Sequence, residues 1–224
     1  MAHFRFRDRR EGGAVLAGEL AEFGDDAATI VLALPRGGVP VAYEVAVQLH
    51  VPLDVHVVRK LGVPGHEELA MGALSGDGAY VIDRNLVAAA RVSAASLEAV
   101  IARELTELRR REEAYRDGRA VRQLTAKTIV LVDDGLATGS TMYVAVEAVR
   151  QHDPAAIVVA APVGAAATCD SLRSVADRVV CAYVPESFGA VGLFYENFAQ
   201  TSDEEVRQLI ARAARLEADR WRAA

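Results

Sequence analysis

Cysteine is scarce in this 224-residue chain, with Cys169 and Cys181 the only two. Each sits in an apolar run and neither has metal-ligand spacing, which argues against a secreted disulfide framework and for a reducing cytoplasm with both thiols packed in the core. Histidine is also sparse. His3, His50, His56, His66 and His152 form no HxxxH or HxxC grouping, so zinc ligation has no support. The first residues, Met1-Ala2-His3-Phe4-Arg5-Phe6-Arg7, lack the apolar centre of a signal peptide. The longest apolar run, residues 155–169, is broken by Pro162 and Gly164 and is too short to span a bilayer, so no membrane partner is expected. Basic charge is in deficit, with a net charge of −6, which argues against a general affinity for nucleic acid or anionic lipid. No internal repeat, low-complexity tract or linker is visible.

What remains is an ordinary globular composition, 52% hydrophobic and 25% charged, at a length that suits one domain with a full core. The apolar periodicity predicts helices over residues 14–23, 39–49, 93–119, 140–151 and 165–175, and a last one opening at Thr201-Ser202-Asp203-Glu204. Strands are expected over residues 29–34, 53–59, 129–133, 156–163 and 178–184. Residues 62–68 read as a mobile loop, and Ser75-Gly76-Asp77-Gly78 as the turn of a hairpin. Along residues 93–119 the arginines, including Arg103, Arg110, Arg111, Arg116 and Arg119, are interleaved with glutamates, as on a solvated face. Alternation of strands and helices predicts an α/β fold, a mostly parallel central sheet flanked by helices, with ligands at the carboxyl ends of the strands. The strands ending near Leu34 and Asp133 both finish in ligand-type turns and should be neighbours.

The most informative stretch is residues 129–141, Ile-Val-Leu-Val-Asp-Asp-Gly-Leu-Ala-Thr-Gly-Ser-Thr. A buried strand delivers Asp133 and Asp134 side by side, and a small-residue turn then opens a helix. Two adjacent carboxylates repel unless a ligand or metal lies between them. As acceptors they suit the neighbouring hydroxyls of a ribose, while the turn aims N–H groups and a helix N-terminus at a phosphate.

This stretch resembles the signature of the type I phosphoribosyltransferases, which bind 5-phosphoribosyl-1-pyrophosphate (PRPP) through it. The resemblance implies one phosphoribosyltransferase-like domain over residues 1–224, with a helical insertion at about residues 85–120 and a small C-terminal hood at about residues 185–200. It implies Mg²⁺ as cofactor, held by Asp133 and Asp134. PRPP would be bound by those two residues with Gly135, Ala137, Thr138, Gly139, Ser140 and Thr141. Leu34-Pro35-Arg36-Gly37-Gly38 resembles the pyrophosphate loop: Arg36, Gly37 and Gly38 would hold the pyrophosphate, and Pro35–Arg36 takes the place of the family's cis peptide. Arg59-Lys60 and the following loop sit where the family's closing loop sits, which makes Lys60 a further cation for catalysis beside Asp133, Asp134 and Arg36. His66, Glu67 and Glu68 are base-side candidates on that loop, a solvated loop being the plainer reading.

Residues 185–198 resemble the hood over the acceptor, with Phe188 and Val191 as the acceptor contacts; an apolar patch sealing the sheet edge explains the same residues. In the 6-oxopurine branch the third residue after the acidic pair is an aspartate, and here it is Ala137, so the string is closer to the adenine or orotate branches. The expected activity is transfer of the phosphoribosyl group from PRPP to a nitrogenous acceptor, a nucleobase foremost, with release of pyrophosphate. A PRPP- or nucleotide-sensing regulator of the same fold and a PRPP hydrolase are the alternatives. A homo-oligomer is left open.

Overall fold

The computed structural model describes residues 4–76 and 80–223. The central sheet is parallel and has five strands, β1 (Thr29–Ala33), β2 (Leu53–Val55), β6 (Thr128–Val132), β7 (Ala156–Val163) and β8 (Arg178–Tyr183), in the order β2-β1-β6-β7-β8. Its strands are apolar runs because both faces are covered, and the pleat sends alternate residues to two cores. Val31, Ala33, Val130, Val132, Val158 and Ala160 join one core, packed under α1 (Arg9–Glu19), α2 (Gly38–Leu49) and α7 (Asp203–Ala223). Ile30, Leu32, Ile129, Leu131, Ile157 and Val159 join the other, under α5 (Ser140–Arg150) and α6 (Ala166–Leu172). The expected α/β architecture and the adjacency of β1 and β6 are both present.

Helix α1 starts at Arg9, five residues before the predicted start, because Asp8 caps it by accepting from the backbone N–H groups of Arg10 and Glu11 at 2.9 and 3.0 Å. Glycine is a poor helix former, which hid this first turn. Gly13 lies where α1 crosses α2 so closely that a Cβ would stand 2.6 Å from the Val41 carbonyl oxygen. The early start carries Arg9 into the site.

The predicted strand over residues 53–59 is two strands. β2 ends at Val55, and the chain leaves the parallel sheet to begin β3 (Val58–Val63). The long helix α4 (Ala94–Arg116) takes over the backbone groups there. Arg116 donates to the Val55 carbonyl at 2.9 Å and Glu112 accepts from the Val57 N–H at 3.2 Å. Arg116 is also paired with Asp54 at 3.0 Å and Glu112 at 2.9 Å, all three buried. Arg116 and Glu112 therefore do not belong to the solvated face expected of them. The preceding helix α3 (Arg84–Ala89) lies at the start of the helical insertion expected at about residues 85–120.

Residues 62–68 are not a loop. β3 pairs antiparallel with β4 (His66–Ser75) across the turn at Pro64 and Gly65, the latter at φ 79°, and β4 pairs with β5 (Tyr80–Ile82). The β-rich flanks and a turn that suits glycine favour a hairpin over an open loop. Of the turn predicted between β4 and β5, Asp77 and Gly78 lie outside the described residues, as does His3 near the N-terminus. The two cysteines are free: Cys169 is buried as expected, whereas Cys181, on β8, is half-buried, and their sulfurs are 2.9 Å apart. Among the described residues no helix is long and apolar enough to cross a membrane.

Candidate active site

The carboxyl ends of β1 and β6 lie side by side, in register from Thr29 opposite Thr128 to Ala33 opposite Val132. Each strand therefore delivers its turn to the same edge. The Leu34 N–H donates to the Val132 carbonyl at 2.9 Å, which ties the Pro35–Gly38 turn to the acidic pair. The Pro35–Arg36 peptide is cis. Gly37 and Gly38 are required by closeness: a Cβ on Gly37 would collide with the Asp134 carboxylate, and one on Gly38 would lie 2.6 Å from the Val132 carbonyl oxygen. The two turns are thus packed directly against each other, with the glycine backbone against the acidic pair.

Asp133 and Asp134 are both half-buried. Burial, and then the neighbouring Asp134 charge, hold the Asp133 carboxyl well above the usual carboxylate range. Burial also raises Asp134, opposed by the Arg9 guanidinium. Arg9 donates from Nε to Asp134 Oδ2 at 2.8 Å, and a second guanidinium nitrogen lies 2.8 Å from the same oxygen. Its remaining arm donates to the Ala199 carbonyl at 2.7 Å, and its guanidinium lies 3.9 Å from the Phe198 ring centroid. The Tyr195 hydroxyl donates to the Asp134 carbonyl at 2.6 Å, and burial holds that phenol in its neutral form. Sequence reading missed Arg9 and Tyr195. Only the Asp8 cap and the aromatic run at residues 194–198 hint at them, and neither names a partner.

The turn after the acidic pair is latched from below. The Leu136 N–H donates to Val163, the Ala165 N–H donates to Leu136, both at 2.9 Å, and the Thr168 hydroxyl donates to the Ala137 carbonyl at 2.5 Å. Gly139 adopts φ 71° and caps α5, and a Cβ there would stand 2.6 Å from the Thr168 methyl. Ala137, Thr138 and Thr141 are exposed, Gly135, Gly139 and Ser140 half-buried, and the Thr138 and Ser140 hydroxyls are 3.2 Å apart. These hydroxyls stand at the N-terminus of an 11-residue helix, an arrangement whose dipole and N–H groups suit an anion.

Arg36 is exposed at the rim, 3.8 Å from Asp203, whose carboxylate also accepts from the Tyr115 hydroxyl at 2.6 Å. Lys60 is exposed on β3. The pleat turns it away from Arg59, and it is Arg59 that shares a cleft with Arg36. His66 and Glu67 are exposed on the hairpin rather than on a loop, with the Glu67 carboxylate accepting from the Gly65 N–H at 3.2 Å.

The segment after β8 crosses the opposite end of the site. Phe188 stacks on Phe194 with centroids 5.3 Å apart, so one face of its ring is covered. Val191 packs on Gly135, where a Cβ would lie 2.5 Å from a Val191 methyl. Phe6 clips this segment from the N-terminal side, donating to Phe194 at 2.9 Å and accepting from the Glu196 N–H at 2.8 Å.

Among the described residues no three His, Cys, Asp or Glu side chains form a metal cage. Two hard carboxylates without a third protein ligand do suit Mg²⁺, which keeps waters and takes its other ligands from substrate phosphates.

In this parallel α/β sheet the adjacent strands β1 and β6 end in a glycine turn and an acidic pair, beside the N-terminus of α5. The sequence profile of the phosphoribosyl transferase domain matches residues 11–195, and the chain belongs to that family. Two proteins of Mycobacterium tuberculosis, strains CDC 1551 and H37Rv, that carry the provisional name phosphoribosyl transferase are each 47% identical to it over 210 residues. That alignment takes in 94% of this chain and 47% of theirs, so the chain spans about half the length of these curated relatives. The crystal structure of TT1426 from Thermus thermophilus superposes with a TM-score of 0.81 at 42% identity, covering 93% of this chain and 99% of that one.

Proposed function

We propose that the chain is a Mg²⁺-dependent phosphoribosyltransferase that moves the 5-phosphoribosyl group of PRPP to a nitrogenous acceptor and releases pyrophosphate. The observation that carries the reading is the Asp133–Asp134 pair set against side-chain-free Gly37 and Gly38. In this reading the two carboxylates accept hydrogen bonds from the ribose hydroxyls and hold Mg²⁺, which supplies charge neutralisation on the diphosphate. The turn at residues 137–141 and the α5 N-terminus hold the 5-phosphate. Positive charge develops at the ribose C1 as its bond to pyrophosphate breaks, and negative charge develops on the leaving oxygen. A preorganised cation at Arg36, with Arg59 behind it, is stronger in that transition state than before it. Arg9 and Tyr195 are positioning residues that fix Asp134 from its side chain and its carbonyl.

The acceptor would enter beside the segment at residues 188–198, stacking on whichever aromatic face is left open and meeting the backbone near Val191. Ala137 cannot exchange a proton with a purine ring, so hypoxanthine and guanine are expected to be poor acceptors. Pyrophosphate release from PRPP and Mg²⁺, measured against a panel of purines, pyrimidines and other nitrogen heterocycles, tests the reading. Acceptor-dependent release is expected. Equal release with and without acceptor would identify a hydrolase, and no release with any acceptor would favour a sensor.

A further inference from the structure

Arg36 leads from the glycine turn into a wider cleft that shares Arg36 and Arg59 with the proposed reaction and whose other arginines that reaction leaves unused. Five arginines from separate parts of the chain line it: Arg36, Arg59 on β3, Arg110 and Arg111 on α4, and Arg207 on α7. The cleft measures about 300 Å³, and among the described residues Asp203 is the single carboxylate in its lining. The acids that fix the guanidiniums stand behind them. Glu104 bonds Arg59 at 2.8 Å, Glu107 bonds Arg110 at 2.9 Å and Arg111 at 2.8 Å, and Glu204 bonds Arg207 at 2.6 Å. None of the three lines the cleft. Glu107 serves two arginines at once, which holds its carboxyl down at about 2. Asp203, the one acid facing in, is already engaged by the Tyr115 hydroxyl and by Arg36.

Five guanidiniums against four acids leave a positive excess, and three of those acids lie outside the lining, so the cleft itself presents mainly guanidinium N–H groups to an anion. Planar guanidinium forks grip phosphate oxygens in pairs, and forks spread around one cleft suit several linked phosphates better than one. We propose that this cleft binds a condensed phosphate chain of three or more units, at a site that meets the PRPP site at Arg36 and extends beyond it to Arg111 and Arg207. The inference takes the position of the PRPP site from the reading above and does not depend on turnover. The chain can come from inorganic polyphosphate or from the tail of a nucleotide, and recognition in both cases runs through Arg111 and Arg207, which only this cleft uses.

The test is calorimetric titration of inorganic triphosphate, and separately of a nucleoside triphosphate, into the whole protein, into Arg111→Gln/Arg207→Gln and into Asp134→Asn. Both arginines are half exposed, and matched melting temperatures, with each single variant as a second check, separate loss of binding from loss of fold. Triphosphate affinity should fall about 10- to 100-fold in the double variant and stay within about twofold in Asp134→Asn. Equal affinity for the two probes points to the inorganic chain, and tighter, arginine-dependent binding of the nucleotide points to its tail; both support the site. Unchanged triphosphate affinity in the double variant, or no binding to the parent, would overturn it. PRPP affinity should change less than about threefold in the double variant, and a loss as large as that of triphosphate would show one site rather than two. Failure of the PRPP reading would appear separately, as absent PRPP binding with triphosphate binding intact.

Discussion

Arg9 is the residue through which the N-terminus shapes the acidic pair, and replacing it exposes that dependence. Its side chain is 11% exposed and that of Asp134 15%, so the pair is close to the buried regime. Removing one partner of a buried pair costs about 3–5 kcal/mol, because the other charge is left unpaired. Two features shift that figure in opposite directions. Asp134 can take up a proton, its carboxyl being already raised by burial, which lowers the cost. Loss of the stacking on Phe198 adds about 0.5–1 kcal/mol. Arg9→Ala should therefore destabilise the protein by about 3 kcal/mol in urea unfolding at neutral pH. Asp134→Asn removes the charge that Arg9 serves, so a double-mutant cycle over the two positions should give a coupling of about 1.5–3 kcal/mol. Single effects that add to within about 0.5 kcal/mol would refute the coupling, and with it the role of Arg9 as the group that fixes Asp134.

Arg116→Ala leaves Asp54 and Glu112 buried together without their cation, and urea unfolding should show a loss of about 3–5 kcal/mol; a loss under about 1 kcal/mol would mean that water reaches the triad. Gly139→Ala forces a side chain into left-handed backbone against Thr168, at a cost of at least about 1–2 kcal/mol, and a variant of parental stability would contradict the φ of 71°. Gly37→Ala places a methyl against the Asp134 carboxylate, so PRPP affinity by calorimetry should drop by about tenfold or more. Parental affinity there would show that the two turns do not share a ligand.

The sheet and the meeting of its two turns at one edge were legible because buried parallel strands are continuous apolar runs and each ends in a turn with its own chemistry. β7 was read to the residue, and β1 and β6 were rightly made neighbours. The hairpin of β3 and β4 was hidden because Pro64 and Gly65 signal a loop as readily as a tight turn. Arg9 and Asp134 stand 125 residues apart, and no local pattern encodes such a pairing. Arg116 illustrates the same limit. Its i,i+4 partner Glu112 suggested a surface ion pair, but Asp54, from another part of the chain, draws both inward. The acidic pair was visible because its oddity is local: two like charges at the end of an apolar strand need an external reason.

The most direct measurement is calorimetric titration of PRPP, with Mg²⁺ present, into the parent protein and into Asp134→Asn. The account predicts saturable binding to the parent and a roughly 10- to 150-fold weaker affinity in the variant, the loss expected for about 1.5–3 kcal/mol of charged hydrogen bonding. No PRPP binding to the parent, or the same affinity in both proteins, would contradict it.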